Sequence, residues 1–213
     1  MAGIVGIDVG GTFTDLYFSG GEGRAHHILK VPSTPHDPSV GLLHALEKAH
    51  LQPGELDAIL HGTTIATNAV IERKGARTAF ITTKGFRDII EQGYEKRFDH
   101  YDLMIDRPVP LAPRTLRFEI AERLAADGSV LVKLDESAVK GLSQRIIAED
   151  VKSVAIGFLY AYAHDAHEVR VRELLARLLP KDVTICISSE VAPEIREYER
   201  FSTTLANAYV RPL

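Results

Sequence analysis

The sequence predicts an α/β fold in which helices cover a sheet, and three observations carry that prediction. Short apolar runs of strand type alternate with amphipathic runs of helix type along the whole chain. The chain opens on two strand-like runs joined by a double glycine. Its 213 residues are 45% hydrophobic and 25% charged, which gives apolar side chains for a proper core in one large domain or two small ones.

Taken in order, residues 4–7 and 12–18 form a hairpin about Gly10-Gly11, with Asp8 at its mouth. Residues 25–31 read as a third strand, closed by the Pro32-Ser33-Thr34-Pro35 turn. Asp37 caps a helix with Pro38 in its first turn, and Val40, Leu43 and Leu46 follow at helical spacing. Residues 56–61 make a short strand, and 66–74 a helix that Gly75 stops. Residues 77–82 are a further strand of β-branched and aromatic character. Residues 116–124 alternate and read as a strand pairing with 130–133 through the Asp127-Gly128 turn. A helix at 136–149, a strand at 153–159, a helix at 166–178 and a strand at 183–188 complete the alternation.

Two stretches depart from that rhythm. Residues 86–113 hold Tyr94, Arg97, Phe98, Asp99, His100, Tyr101 and Asp102, then Pro108, Pro110 and Pro113; a functional loop and a surface excursion both fit. Residues 190–200 carry acids and bases at three- and four-residue spacing, which predicts a surface helix with weak ion pairs. Thr203 and Asn207 follow one turn apart on a helix of small residues that Pro212 ends.

The formal net charge of -4 gives no electrostatic reason to expect nucleic acid or an anionic membrane as partner. With neither a signal peptide nor an apolar stretch long enough to cross a bilayer, cytoplasm is the expected location. Cys186 is the only cysteine, so no internal disulfide or zinc ribbon can form, and its apolar setting predicts a buried, inert thiol. His164 and His167-Glu168 do not make H-E-x-x-H, because Val171 holds the place of the second histidine. A helix cap around Asp165 accounts for them, and no metal is assigned there.

Chemistry is concentrated in Gly6-Ile7-Asp8-Val9-Gly10-Gly11-Thr12-Phe13-Thr14-Asp15. Glycines let a bulky ligand approach main-chain N–H groups that a Cβ would shield. Successive N–H groups in such a turn form an anion-binding concavity, to which the hydroxyls of Thr12 and Thr14 add donors. Asp8 suits a hydrated Mg²⁺ beside phosphates, since that ion favours one or two carboxylates plus water and phosphate oxygens. A glycine hairpin whose aspartate only stabilises the turn is the plainer alternative. Neither a Walker nor a Rossmann fingerprint is present, because the glycines lead into a strand. His61-Gly62-Thr63-Thr64 stands at a strand end and runs into a helix with Thr67 and Asn68, a second natural anion pocket. Helix capping by Thr63 or Thr64 is compatible with that role. His61 is a candidate proton-transfer group, although by itself a hydrogen-bonded strand-end histidine is the plainer reading.

Together these segments resemble the hydantoinase A / 5-oxoprolinase family. The resemblance rests on the string from Gly6 to Asp15, on His61-Gly62-Thr63-Thr64-Ile65-Ala66-Thr67-Asn68-Ala69 with Glu72-Arg73, and on Thr82-Thr83-Lys84-Gly85-Phe86-Arg87-Asp88. The last segment is Glu194-Ile195-Arg196-Glu197-Tyr198-Glu199-Arg200, so the matches span nearly the whole chain in order. The resemblance implies the first lobe of an actin-like (ribonuclease H-like) ATPase, a mixed sheet flanked by helices. It implies ATP and Mg²⁺ used to phosphorylate the oxygen of a small cyclic amide so that the ring opens, with a partner subunit of hydantoinase B type. The same family includes ketone carboxylase subunits, and the superfamily includes sugar kinases; a non-catalytic, partner-binding lobe is a further alternative.

Carried onto this sequence, Asp8 holds Mg²⁺ through water and is, with His61, the implied catalytic residue. Gly10, Gly11, Thr12, Thr14 and Asp15 form the first phosphate loop. Gly62, Thr63, Thr64, Thr67 and Asn68 face the same cleft, as do Thr203 and Asn207. The implied division is a lobe at 1–201 and, at 202–213, the start of a crossover helix to a second lobe that this length does not include. An incomplete cleft of that kind predicts an inactive fragment or a short relative.

Overall fold

A computed structural model describes residues 3–20, 26–34, 37–94, 101–102, 104–105 and 108–213. Ala25, Pro35, Arg97, Phe98, Asp99 and His100, on which sequence-based expectations fall, lie outside the described residues. The chain divides into two compact units, Met1–Lys74 and Gly75–Leu213.

The first unit holds strands β1 (Gly3–Val9), β2 (Phe13–Ser19) and β3 (His26–Pro32), helix α1 (Pro38–Lys48), strand β4 (Leu56–Thr63) and helix α2 (Ile65–Ile71). Its sheet order is β3-β2-β1-β4, antiparallel among the first three and parallel between β1 and β4. Strand side chains alternate between faces, so Val5, Ile7, Val9, Leu16, Phe18 and Val31 pack on one face with Ala45 of α1. Ile4, Phe13, Tyr17, Ile28 and Leu60 stand exposed on the other. Asp37 caps α1 as its sequence predicts, accepting the N–H of Ser39 at 3.0 Å.

The α2 helix does not run to Gly75. It closes on Arg73 in the left-handed region (φ 57°), and the N–H of Lys74 reaches back to the carbonyl of Ala69 at 2.9 Å. That six-to-one bond is the usual helix-terminating motif, here built without glycine. His50 ends α1 in the same way, with Leu51 bonded back to Leu46.

The second unit holds β5 (Thr78–Thr83), α3 (Ile89–Gln92), β6 (Arg117–Ile120), β7 (Arg123–Leu124), β8 (Val130–Val132), α4 (Glu136–Ala148), β9 (Ser153–Gly157), α5 (Ala166–Leu178), β10 (Thr184–Ile187), α6 (Ser188–Val191) and α7 (Glu197–Val210). Its main sheet is parallel, in the order β10-β9-β5-β6. One face carries Ile81, Phe118, Ile120, Val154 and Ile156 against α4 and α5; the other buries Phe80 and Ala155 against Phe201, Leu205 and Ala208 of α7. No helix among the described residues is long and apolar enough to cross a membrane.

The single strand expected at 116–124 is two strands in two sheets. Ile120 pairs with Thr83 as the last rung of β6 on β5. The chain then leaves the sheet at Glu122, whose buried carboxylate accepts from the Thr83 hydroxyl and contacts His167 Nδ1 at 2.8 Å. Only β7 pairs with β8, across a turn in which Gly128 takes φ 84°. Polar partners distant in sequence thus override a period-two pattern that runs on unbroken.

Residues 190–200 are not one solvated helix: α7 starts at Glu197, and Arg200 is 0% exposed. Its guanidinium donates to Ser188 Oγ (3.1 Å), the Glu194 carbonyl (2.8 Å) and the Phe158 carbonyl (3.0 Å). Ser188 Oγ donates in turn to Glu168 (2.6 Å), which also accepts from Ser189 N (2.9 Å) and Oγ (2.8 Å) and from Phe158 N (2.9 Å). Glu168 is therefore a buried keystone of the unit, and Asp165 makes no side-chain cap. Cys186 is buried, as expected, beneath Asn207 Nδ2 at 3.4 Å.

Close packing between sheet and α7 yields a stability prediction. A Cβ on Gly157 would lie 2.4 Å from Cδ1 of Phe201, a ring with no exposed surface. Gly157→Ala is expected to destabilise the chain by about 1–3 kcal/mol, the usual cost of overpacking, measured by urea unfolding.

Candidate functional site

The double-glycine turn is held from three sides. Gly10 donates its N–H to the Phe13 carbonyl at 3.0 Å, which closes the turn on itself. Ser33 Oγ donates to the Gly10 carbonyl at 2.7 Å, and Ser33 N to the Thr12 carbonyl at 2.9 Å. From the β4 side, Thr64 N and Thr63 Oγ1 both donate to the Val9 carbonyl at 3.2 Å. Among the described residues no protein acceptor takes the N–H of Gly11 or of Thr12, and both residues are exposed. Two adjacent open donors in a rigid turn are the elements of a main-chain anion site.

Strand register sets the carboxylates beside it. Asp8 pairs with Asp15 across β1 and β2, Asp15 with Lys30 across β2 and β3, and Asp8 with Gly62 across β1 and β4. Directly opposed residues share a face, so Lys30, Asp15, Asp8 and Gly62 form one row across the four strands. Lys30 Nζ stands 3.2 Å from Asp15 and neutralises it. Asp8 has no ion-pair partner among the described residues, and a Cβ on Gly62 would come within 3.6 Å of its Oδ1. With Asp15 paired to Lys30, Asp8 is the carboxylate of the row left for a cation. An exposed, unpaired carboxylate beside open N–H donors is the donor set that hydrated Mg²⁺ with phosphate requires. An open groove of about 570 Å³ lies on this face, lined by Asp8, Asp15, Tyr17, Leu60, His61 and Gly62 among others.

The structure brings Asp8, Gly10, Gly11, Thr12, Asp15, Gly62, Thr63, Thr64, Thr67 and Asn68 together around this turn and the β4–α2 junction, whereas His61 registers with Ile7 and so leaves β4 on the face opposite Asp8. It gives two of the expected hydroxyl donors other work. Thr14 is fully buried and bonds Ser33 Oγ at 3.0 Å, so it braces the turn from the core side. Thr63 Oγ1 donates to Val9 and accepts the N–H of Ile65 at 3.2 Å, which makes it the hydroxyl that tethers the start of α2. Asn68 Nδ2 lies 3.2 Å from where a Cβ on Gly11 would stand and donates to Thr64 Oγ1 at 3.4 Å. Thr203 and Asn207 belong to the second unit. Sequence reasoning missed Ser33 and Lys30; the serine was visible only as part of a proline-flanked turn, and the lysine only once register placed it opposite Asp15.

Residues 4–179 match the family described as hydantoinase/oxoprolinase N-terminal region. The caprolactamase subunit alpha of Pseudomonas jessenii is 36% identical over 98% of this chain and 31% of its own length. The 5-oxoprolinase of Saccharomyces cerevisiae is 31% identical over 98% of this chain and 19% of its own. The crystal structure of the ATP-dependent caprolactamase superimposes with a TM-score of 0.82, again over 31% of that chain. A nucleotide-free acetone carboxylase, from a study of ATP-dependent acetone carboxylation, gives 0.87 at 25% identity, over 98% of this chain and 32% of its own. The α/β architecture with a mixed sheet flanked by helices is thus the fold of these proteins' corresponding third or less. The chain belongs to the hydantoinase/oxoprolinase family, whose N-terminal region it carries.

Proposed function

We propose that this chain is the phosphate-gripping N-terminal lobe of an ATP-dependent amidohydrolase that opens hydantoin or 5-oxoproline-type lactam rings. The observation that carries the reading is the pair of open N–H groups at Gly11 and Thr12 beside the unpaired Asp8. The relatives named as an ATP-dependent caprolactamase and a 5-oxoprolinase support it. When bound, Mg·ATP supplies the phosphoryl group that turns an amide oxygen into a leaving group. The residues of this chain bind and orient: the Gly11 and Thr12 N–H groups and the Thr12 hydroxyl hold phosphate oxygens, and Asp8 holds the water shell of Mg²⁺. Ser33, Thr14 and Thr63 keep the turn rigid, so that its donors cost no reorganisation. His61 is exposed but registers with Ile7, on the face opposite Asp8, so its assignment to proton transfer rests on the family resemblance.

Residues 1–201 act as the lobe and 202–213, which begin within α7 and run past its end at Val210, as the start of the crossover. Thr203 and Asn207 of that helix are assigned to nucleotide from the family resemblance. The partner is a subunit of hydantoinase B type, and the setting is cytoplasmic. A ketone carboxylase subunit is the second reading, favoured by the TM-score of 0.87 with acetone carboxylase. The 36% identity with the caprolactamase subunit favours the lactam.

The test joins this chain to the remaining two thirds of the caprolactamase alpha subunit, with that enzyme's partner subunit. Lactam-stimulated phosphate release is expected, and its loss in Asp8→Asn. A folded chimera that releases no phosphate with any lactam, hydantoin or ketone would overturn the reading.

A further inference from the structure

The second unit contains a cationic recess that the nucleotide reading does not use. Two adjoining hollows, of about 430 and 520 Å³, share Arg87 and Glu119 in their walls. The larger is lined by Arg87, Arg114, Arg117 and Arg145, with Phe118 and Leu142 as apolar floor and Glu119 as its only acid. Two of these guanidiniums are neutralised from behind. Arg114 makes a two-pronged contact with Asp88 (3.0 and 2.9 Å), and buried Arg117 contacts Asp88 at 3.3 Å and Glu91 at 2.6 Å. Glu119 is occupied by the N–H of Gly85 at 2.7 Å.

Arg87 and Arg145 are left. Neither makes an ion pair among the described residues. Arg145 lies over the Phe118 ring at 4.6 Å, which orients its guanidinium along the floor. Arg87 presents an Nε that is buried and has no hydrogen-bond partner. A buried N–H of a charged group left unbonded is costly, and native structures usually satisfy such groups with a bound water or ion.

We propose that this recess is an anion site for a small organic acid, whose carboxylate or phosphate meets Arg87 and Arg145. The planar fork of arginine suits both anion types. The site lies wholly within the second unit and needs no nucleotide, so it stands or falls apart from the function proposed above.

The test is a nuclear magnetic resonance titration of the ¹⁵N-labelled 213-residue chain with hexanoate and, separately, with inorganic phosphate. A saturable shift of the Arg87 Nε–H and Gly85 N–H signals is expected with at least one probe; tighter binding of hexanoate assigns a carboxylate ligand, and tighter binding of phosphate a phosphate ester. Arg145→Gln, with the rest of the spectrum unchanged, is expected to weaken that binding roughly tenfold. Signals at Arg87 that neither probe moves overturn the proposal, as does unchanged affinity in Arg145→Gln. Because the Arg87 readout uses the unaltered chain, it decides the matter even if a variant fails to fold.

Discussion

Arg200→Ala is expected to lower the stability of the chain by about 3–5 kcal/mol, the range for removing one partner of a buried charged network. The loss is large because one deletion strands several groups. The Phe158 and Glu194 carbonyls lose their donors, and Ser188 Oγ, which passes the positive field of Arg200 on to Glu168, loses its anchor. Burial pushes the Glu168 carboxyl up, and the hydrogen bonds from Ser188, Ser189 and Phe158 oppose that rise. A carboxyl raised in the folded state stabilises the fold below its unfolded value, and that contribution is lost as pH rises through the folded one. Without Arg200 the rise is greater, so the deficit of the variant is expected to be larger near neutral pH than in mild acid. With no tryptophan in the chain, unfolding is followed by circular dichroism in urea. Arg170→Ala is the contrast: its paired contact with Glu136 at 2.8 and 2.9 Å is solvent-exposed on both sides, and its removal is expected to change little. Equal effects of the two substitutions would contradict the keystone role of Arg200.

On the proposed function, Gly10→Ala in the caprolactamase chimera is expected to weaken binding of Mg·ATP roughly tenfold or more, equivalent to losing one good hydrogen bond to a charged group. The added Cβ would sit 2.9 Å from the Phe13 carbonyl, the same oxygen that accepts the Gly10 N–H. Main-chain oxygen cannot swing aside as a side chain can, so the turn has to open and the N–H groups of Gly11 and Thr12 lose their common aim. Isothermal calorimetry of both chimeras decides the point, with circular dichroism showing that each is folded. Undiminished affinity in a folded Gly10→Ala chimera would remove the turn from the nucleotide site.

The parts legible in the sequence were those written in local chemistry. The double-glycine hairpin, the Asp37 cap and the period of α5 need only neighbours along the chain, and each stands where the pattern places it. What stayed hidden depends on contacts far apart in sequence. Arg200 among acids at helical spacing looks like a solvated ion pair until Phe158 and Ser188 surround it. The break after Ile120 needs Thr83 and His167 to claim Glu122. At the site, Asp8 and the glycines were readable from their string, whereas the burial of Thr14 depends on Ser33, 19 residues on.

The row of Lys30, Asp15, Asp8 and Gly62 has one further consequence. A slip of β1 by a single residue would turn Asp8 into the greasy interior under α1 and push Ile7 or Val9 into the groove. Misfolding and loss of the ligand site are therefore the same event at this hairpin. The burial of six aliphatic and aromatic side chains acts as a proofreader for one carboxylate, so evolution cannot tune the position of that acid without retuning the core beneath it.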